Sequence, residues 1–343
     1  MPMNKQQLIN ILINEVSVPN KEFGSAFAST NIALCKYWGK RNAELNLPMT
    51  SSLSISLGHL GARTKIGFAA GTTDQYILNN AAVSENTVFY RRLVEFLDLF
   101  RPTADTVFSV TTQTNIPVAA GLASSACGFA ALVKAMQDLF AWPLSLEQLS
   151  ILARLGSGSA SRSFWDGFVQ WDAGVREDGM DSFAYSLEQE WSELRVGLLH
   201  IDNKPKGFSS REAMQATVET SPFYKLWPQT VANALTVTKQ AIIDRDFWSL
   251  GSTAEANALA MHALMLSTTP AIVYTQGATL DCMRQVWCAR AEGLNLFFTQ
   301  DAGPNLKLLF LSKDEAKVKE LFAQVEIVAP FATITKPVEC LHD

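Results

Sequence analysis

Small and hydroxyl-bearing residues stand where the chain between Asn115 and Phe129 leaves a predicted strand and enters a predicted helix. A helix that begins at Ser124 and Ser125 would present free backbone N–H groups and two hydroxyls to an anion such as a phosphate. The GxxxxGK[ST] pattern of a Walker A loop is missing from the segment. The same residues also fit a helix packed tightly on a sheet with Ser124 as its N-cap, so both interpretations stay open.

A second segment, from Gly156 to Ser163, contains four serines, two glycines and Arg162. This composition makes a poor core and a good anion-binding nest, and the planar guanidinium suits a carboxylate or a phosphate. The alternative is a flexible surface loop. The apolar pattern that resumes at Phe164 makes that alternative less attractive.

Three further charged groups stand at predicted element ends. Lys36 follows a probable core strand, where solvation of a lysine is less assured than on a surface. Asp301 opens the turn Asp-Ala-Gly-Pro-Asn, which is either only a turn or the site of a general base that faces a bound hydroxyl. Arg211 lies in the first turn of a helix capped at Ser209, where a cation opposes the helix dipole unless an anion binds there.

The elements that must position these groups follow an α+β pattern, with a domain boundary near residues 190–205. Apolar alternation and short apolar runs predict strands that include 25–34, 51–57, 65–69, 75–78, 106–115, 164–171, 194–201, 294–299, 307–311 and 332–335. Helical spacing predicts helices at 88–100, from Ser124 to 140, from Ser145 onward, and at 210–220, 231–244, 252–266, 278–292 and 313–325.

Composition excludes several classes of protein. A hydrophobic fraction of 48% over 343 residues supports packed cores and excludes a mainly disordered chain. The net charge of -5 gives no support for a nucleic-acid-binding surface, and no apolar stretch is long enough to span a membrane. Five scattered cysteines and four isolated histidines predict neither disulfides nor a protein-bound metal. We therefore expect a cytoplasmic globular protein.

Taken together, the segments resemble the GHMP kinase superfamily, and within it the diphosphomevalonate decarboxylase family. The resemblance covers roughly residues 25–312 and is carried by blocks in the same order. These blocks are Asn31-Ile-Ala with Lys36-Tyr-Trp-Gly-Lys40, Asn46-Leu-Pro-Met-Thr-Ser-Ser-Leu53, Gly121-Leu-Ala-Ser-Ser-Ala126, Gly156-Ser-Gly-Ser-Ala-Ser-Arg162 and Asp301-Ala-Gly-Pro-Asn305.

The resemblance implies a GHMP kinase fold and an ATP-dependent reaction. A ribosomal-S5-like N-terminal domain, 25–200, would pack against a ferredoxin-like C-terminal domain, 201–343, with ligands in the cleft and an extension at 1–24. The reaction would convert (R)-5-diphosphomevalonate to isopentenyl diphosphate, ADP, phosphate and CO2, with Mg²⁺ carried by ATP. The family is commonly homodimeric, so we expect a homodimer with these small molecules as its other partners.

The resemblance also implies a role for each matching residue. The catalytic residues would be Asp301, Lys36, Arg162 and Asn31. The diphosphomevalonate would be bound by Tyr37, Trp38, Gly39, Lys40, Ser157, Gly158, Ser159, Ala160, Ser161, Arg162, Ser210, Arg211 and Met214. The ATP phosphates would be bound by Asn115, Gly121, Leu122, Ala123, Ser124 and Ser125.

Two departures from the family pattern and three alternatives accompany this interpretation. The loop 203–208 differs from the family's short basic and apolar stretch, and Cys127 replaces a small alanine. A phosphomevalonate decarboxylase or a mevalonate 3-kinase is the nearest alternative. Another small-molecule kinase of the superfamily, such as a homoserine or mevalonate kinase, is the second. The third is a catalytically dead ligand-binding protein on the same fold.

Overall fold

The computed structural model describes residues 3–13, 21–116, 124–202 and 207–332. Within these ranges the first half of the chain builds a seven-stranded sheet and a separate two-stranded ribbon. In chain order its strands are β1 (Phe23–Cys35), β2 (Lys40–Asn42), β3 (Leu47–Pro48), β4 (Ser52–Phe68), β5 (Gln75–Leu78), β6 (Ala81–Ala82), β7 (Phe108–Thr114), β8 (Phe168–Trp171) and β9 (Ala184–Ser186).

Strands β1 and β4 are the long antiparallel pair on which this sheet is built. The prediction of two strands at 51–57 and 65–69 was wrong, because β4 continues through both. Gly58 has a φ of +59°, and a Cβ at Gly61 would lie only 2.1 Å from the carbonyl oxygen of Ala28. Glycines at these two positions let the strand bend without losing its partner.

Four helices belong to the N-terminal half, and α3 packs most extensively on its sheet. The helices are α1 (Lys5–Leu12), α2 (Val88–Leu97), α3 (Ser124–Phe140) and α4 (Leu146–Gly156). A Cβ at Gly24 on β1 would lie 2.1 Å from the carbonyl oxygen of Ala135, so only glycine allows α3 this approach. The predicted cap at Ser145 is confirmed: its side chain accepts a hydrogen bond from the backbone N–H of Gln148.

The second half of the chain builds a four-stranded antiparallel sheet. Its elements are β10 (Leu194–Leu199), α5 (Ser210–Thr220), α6 (Trp227–Asp244), α7 (Phe247–Leu266), α8 (Gly277–Ala291), β11 (Phe297–Gln300), β12 (Leu306–Leu311), α9 (Glu315–Leu321) and β13 (Glu326–Val328). The spatial order β11-β12-β10-β13 is that of a ferredoxin-like sheet. The α+β class predicted from the sequence is confirmed.

The position of strand β10 indicates where the first domain ends and the second begins. It ends at Leu199, before the boundary predicted at residue 200, yet it pairs with β12 and β13 of the second sheet. This pairing favours a boundary before Leu194. The strand predicted at 332–335 lies almost entirely outside the described residues, and β13 closes the sheet instead.

One hydrophobic core joins the two halves. Ile32 on β1 and Ile55 on β4 share a fully buried cluster with Leu194, Leu250 and Phe297 of the second half. Burial of apolar area on both sides fixes the two units against each other, and the ends of β1 and β11 thereby meet. Among the described helices, none is long and apolar enough to cross a membrane.

Candidate active site

A cavity of about 280 Å³ opens where the two halves meet. It brings together most of the residues that the sequence singled out. Those that line it are Asn31, Lys36, Tyr37, Trp38, Lys40, Ser125, Ser157, Gly158, Ser159, Arg162, Ser210, Arg211, Met214 and Asp301.

The centre of the cavity holds an ion pair between the two halves of the chain. Lys36, directly after β1, places its Nζ 2.7 Å from Oδ1 of Asp301, which follows β11. The same ammonium donates to the carbonyl oxygen of Ala33 at 2.8 Å, and the Lys36 backbone N–H donates to Oδ1 of Asn257. Lys36 is 2% exposed, and these three contacts hold its ammonium and backbone in one geometry.

A second lysine and a histidine also hold Asp301. Nζ of Lys307, on β12, lies 3.3 Å from Oδ2 of the carboxylate. Nε2 of His262, on α7, lies 3.1 Å from the backbone oxygen of Asp301. Burial alone would raise the pKa of Asp301, but the charges of Lys36 and Lys307 outweigh it and hold that pKa well below its usual range. Asp301 is therefore an ionised hydrogen-bond acceptor throughout the physiological pH range.

Arg162 also lines the cavity, close enough to Asp301 to interact with its charge. Its Nη1 donates to Oγ of Ser52 at 2.6 Å and its Nε to Oδ1 of Asn31 at 3.4 Å, while Nδ2 of Asn31 donates to Oγ of Ser163. The guanidinium lies 5.8 Å from the ring centroid of Trp171. Burial lowers the pKa of Arg162 to about 10 and the nearby Asp301 opposes this effect, so Arg162 stays charged.

The other end of the cavity is basic. Nζ of Lys40 donates to Oδ1 of Asn46 at 2.5 Å, and Arg211 and Arg92 line the same end. Burial, followed by the charges of Arg211, Arg92 and Lys5, lowers the pKa of Lys40 to about 8. Like charges gathered in this way repel each other, and a multiply charged anion would relieve that repulsion.

Helix α5 presents Arg211 to this end of the cavity. The helix begins at Ser210, and the Ser209 side chain accepts from the N–H of Glu212 in a capping box. The predicted cation in the first turn of a capped helix is thus confirmed. Ser210 and Met214 lie on the same helix and also line the cavity.

Tyr37 lines the cavity without a partner for its hydroxyl. Its ring packs edge-on against Trp171 at a centroid distance of 4.8 Å, and Oη is buried with no hydrogen-bond partner among the described residues. A Cβ at Gly158 would lie 2.8 Å from the Tyr37 ring, so glycine allows the serine-rich turn to approach it. A buried donor of this kind is expected to bond a ligand.

Some predicted binding residues lie outside the cavity wall. Ser161 and Ala160 are fully buried, and Ser161 exchanges hydrogen bonds with Ser150 on α4. Gly39, with a φ of +101°, packs against Tyr224, where a Cβ would lie 1.6 Å from its Oη. These residues pack behind the lining residues, and their contact with substrate stays a prediction.

The predicted ATP-binding residues divide into three groups. Ser124 and Ser125 open α3, and Oγ of Ser125 lies 3.4 Å from Oγ of Ser157 in the cavity wall. The Asn115 side chain accepts from Gly61 N–H and donates to the His59 carbonyl, which favours a role in holding the bend of β4. The remaining residues, 121–123, lie outside the described part of the chain.

Comparison with known proteins gives the family. The model of the diphosphomevalonate decarboxylase-like N-terminal domain matches residues 28–184, and that of the mevalonate 5-diphosphate decarboxylase C-terminal domain matches residues 198–338. The chain belongs to the diphosphomevalonate decarboxylase family. The N-terminal helix α1 lies before both matches.

Individual relatives agree with this assignment. The diphosphomevalonate decarboxylase mvd1 of Aspergillus fumigatus is 37% identical over 312 residues, which cover 85% of this chain and 77% of that protein. The crystal structure of mevalonate diphosphate decarboxylase from Staphylococcus aureus has a TM-score of 0.85 at 36% identity and covers 91% of this chain and 96% of that one.

A third relative is a structure described as MDDEF in complex with MVAPP, AMPPCP and magnesium. It has a TM-score of 0.83 at 40% identity and covers 90% of this chain and 97% of that one. These structural neighbours confirm the GHMP kinase fold that the motifs implied.

Sequence reasoning missed several residues of this family member's site. Arg92 lines the basic end, but it lies on α2, which carries none of the family blocks noted above. Lys307 and His262 reach Asp301 from β12 and α7. For Lys307 a signal existed, because a lysine within the apolar run of β12 requires a buried partner. A histidine within a helix gave no comparable signal.

Groups of acidic, histidine or cysteine side chains able to hold a metal ion are not found among the described residues.

Proposed function

We propose that this protein catalyses the ATP-dependent decarboxylation of (R)-5-diphosphomevalonate to isopentenyl diphosphate, ADP, phosphate and CO2. The observation that carries the proposal is the Lys36–Asp301 pair, with a carbonyl-anchored ammonium 2.7 Å from an ionised carboxylate, in the wall of a cavity whose far end is basic. Family membership and the relative bound to MVAPP and AMPPCP support the same reaction.

The carboxylate of Asp301 would orient the tertiary C3 hydroxyl. Because its pKa is held low, Asp301 is a weak base in the resting site and accepts a hydrogen bond from that hydroxyl. The hydroxyl proton passes to the carboxylate only as the new bond from oxygen to phosphorus forms. General-base assistance of this kind contributes about 10²–10⁴ in rate.

Lys36 and Arg162 would stabilise charge during the two bond-breaking steps. The Lys36 ammonium would lie beside the reacting oxygen. There it would stabilise the negative charge on the phosphoryl group during its transfer and again during its departure as phosphate. As the C3–O bond breaks, the electron pair of the bond to the carboxylate forms the C2–C3 double bond and CO2 leaves. Arg162, fixed by Asn31 and Ser52, would bind the substrate carboxylate or the departing phosphate.

The basic end would bind the 5-diphosphate. Lys40, Arg211 and Arg92 all line it, and charge repulsion among them is relieved by an anion with several negative charges. The unpartnered hydroxyl of Tyr37 and the serines of the 157–159 turn offer further donors. A diphosphate uses these groups more fully than a monophosphate does.

ATP and Mg²⁺ are assigned to the neighbouring N-terminus of α3. Ser124 and Ser125 supply hydroxyls there, and Ser125 also lines the cavity. A γ-phosphoryl group bound at the N-terminus of α3 can therefore face the C3 hydroxyl. ATP supplies the phosphoryl group that turns the hydroxyl into a leaving group, and Mg²⁺ neutralises charge on its phosphates.

A homodimer in the cytoplasm stays part of the proposal. The resemblance supports the homodimer, and composition supports the location. Sedimentation of the purified chain and localisation of a tagged copy would test them separately from the chemistry.

The deciding experiment supplies the purified protein with ATP and Mg²⁺ and, in separate reactions, mevalonate, its 5-phosphate and its 5-diphosphate. We expect CO2 and ADP in equal amounts from the 5-diphosphate. CO2 from the monophosphate alone would make the protein a phosphomevalonate decarboxylase. A stable phosphorylated product without CO2 would make it a kinase, and no product from any substrate would support a binding protein.

A further inference from the structure

Lys307 is the least exposed of the charged groups around Asp301. It is 1% exposed, on a strand whose flanking residues Leu306 and Leu308 are also fully buried. Removing an ammonium from water is unfavourable unless a carboxylate compensates for the lost hydration. Here Oδ2 of Asp301, 3.3 Å from Nζ, provides that compensation.

The two lysines act on different oxygens of one carboxylate. Lys36 lies 2.7 Å from Oδ1 and lines the cavity together with Asp301. Lys307 faces Oδ2 and is not among the described residues that line the cavity. Because a different cation contacts each oxygen, rotation of the carboxylate would break an ion pair.

We propose that Lys307 is a positioning residue for the decarboxylation, which holds Oδ2 of Asp301 so that Oδ1 stays directed at the C3 hydroxyl. The proposal rests on the proposed function for the identity of the hydroxyl. It assigns Lys307 no contact with the substrate. Lys307 contributes to turnover only through the orientation and charge of Asp301.

Within the described part of the chain, four titratable or charged groups face Asp301, and their protonation states shape the pH profile. They come from the residue after β1 (Lys36), the turn before β8 (Arg162), α7 (His262) and β12 (Lys307). Burial lowers the pKa of His262 to about 4, so its ring is neutral above that pH. Burial also lowers the pKa of Lys36, and Lys307 lowers it further. Among these four groups, protonation of Asp301 would produce an acid limb of kcat and deprotonation of Lys36 an alkaline limb, separate from any limb that Lys40 gives to kcat/KM.

Removing the Lys307 charge has a distinctive sign. The pKa of Asp301 rises because one of its two cations is lost, and the pKa of Lys36 rises because a like charge is lost. Both limbs of the kcat profile should move to higher pH. A residue that only supported the fold would change the amount of active protein and leave the limbs in place.

The experiment compares Lys307→Met, Lys307→Arg and the exposed control Lys317→Met on α9 with the wild-type enzyme. In Lys307→Met the remaining Lys36–Asp301 ion pair has no net charge, so this variant should fold. We expect its kcat to fall about tenfold or more at neutral pH, with KM for both substrates within a few-fold and both limbs shifted upward. Lys307→Arg keeps the charge but changes the donor geometry, so its limbs stay in place and kcat falls several-fold. The control should match the wild type.

Two outcomes would contradict the proposal. Wild-type kcat in either Lys307 variant, or a lower kcat in Lys307→Met with unmoved limbs, would overturn the positioning role. If Lys307→Met does not fold, Lys307→Arg decides the question by whether its kcat falls. In a double variant with Asp301→Asn, loss of Lys307 should lower kcat little further, because it acts through Asp301.

Failure of the proposed function would be recognised separately, because the wild-type enzyme would then release no CO2 from the 5-diphosphate. The charge relation can still be measured in that case. Carbon-13 NMR of aspartate carboxyls, with the Asp301 signal identified by its loss in Asp301→Asn, should show a higher pKa in Lys307→Met than in the wild type. An unchanged pKa would reject the role of Lys307.

Discussion

Positive charge is arranged differently at the two ends of the cavity. At the reaction centre, Lys36 and Lys307 are almost completely buried and both contact one carboxylate, Asp301. At the basic end, Lys40 donates to the neutral amide of Asn46 and faces other cations. Charges that must keep a fixed position are compensated within the protein, whereas charges that must bind an anion repel each other until it arrives.

This difference separates two kinds of effect on catalysis. Loss of a group at the reaction centre should mainly change kcat, because its interactions are strongest in the transition state. Loss of a group at the basic end should mainly change KM, because the diphosphate is bound equally before and during the reaction. The variants below test this division.

The largest effect is expected at Asp301. Asp301→Asn removes the acceptor for the hydroxyl proton, so kcat should fall by about 10² or more while substrate affinity stays within several-fold. Isotope-labelled CO2 release and substrate titration measure the two quantities, and the exposed Asp281→Asn is the matched control. Near-normal turnover in Asp301→Asn would remove this residue from its role. The variant also leaves two buried lysines without a carboxylate, so we expect a lower melting temperature.

The next effect is expected at Arg211. A charge-assisted hydrogen bond contributes about 1.5–3 kcal/mol, so Arg211→Ala should raise KM for the 5-diphosphate by about tenfold to a hundredfold with kcat largely retained. The exposed Arg284→Ala provides the control. Equal losses of kcat and kcat/KM in Arg211→Ala would contradict the division between the two ends. A Lys substitution at position 211 should recover part of the loss.

Local sequence could predict the groups that lie in chemically distinctive segments, and it did so for the Lys36 loop, the serine-rich turn and Asp301. It also predicted the α+β class, since apolar periodicity is a local property. Arg92 and His262 reach the site from ordinary amphipathic or apolar helices, and only the packing of distant elements brings them there. Their role could not be inferred from spacing along the chain.

Strand β4 shows a second limit of local pattern. The sequence predicted two strands, 51–57 and 65–69, and the break between them contains Gly58 and Gly61, a residue type typical of turns. In the fold they allow one bent strand to pair with β1 on both sides of the bend. The chain between Ser29 and Cys35 also shifts register twice against β4. These shifts decide the directions of Asn31 and Lys36, and they depend on a partner strand that local sequence does not reveal.

A moderate effect is expected from pH at the basic end. The pKa of Lys40 in the free protein is about 8, so the ammonium that binds the diphosphate is lost above that pH. The value of kcat/KM should therefore fall by about tenfold between about pH 7 and pH 9. The bound anion raises this pKa again, so kcat should fall less. Lys40→Arg should move this alkaline fall of kcat/KM to higher pH. If the fall persists in Lys40→Met, a group other than Lys40 causes it.

The smallest effect is expected from the N-terminal helix, which lies before both family matches. Leu8 and Ile9 fix α1 in the core, and Lys5 is close enough to Lys40 to lower its pKa. Because Lys5 is partly exposed, salt screens its charge over about 10 Å at 0.1 M. Lys5→Ala should raise KM for the 5-diphosphate less than about twofold at physiological salt and more at low salt. A salt-independent change would indicate that α1 acts through packing, since Coulomb attraction to a diphosphate weakens as ionic strength rises.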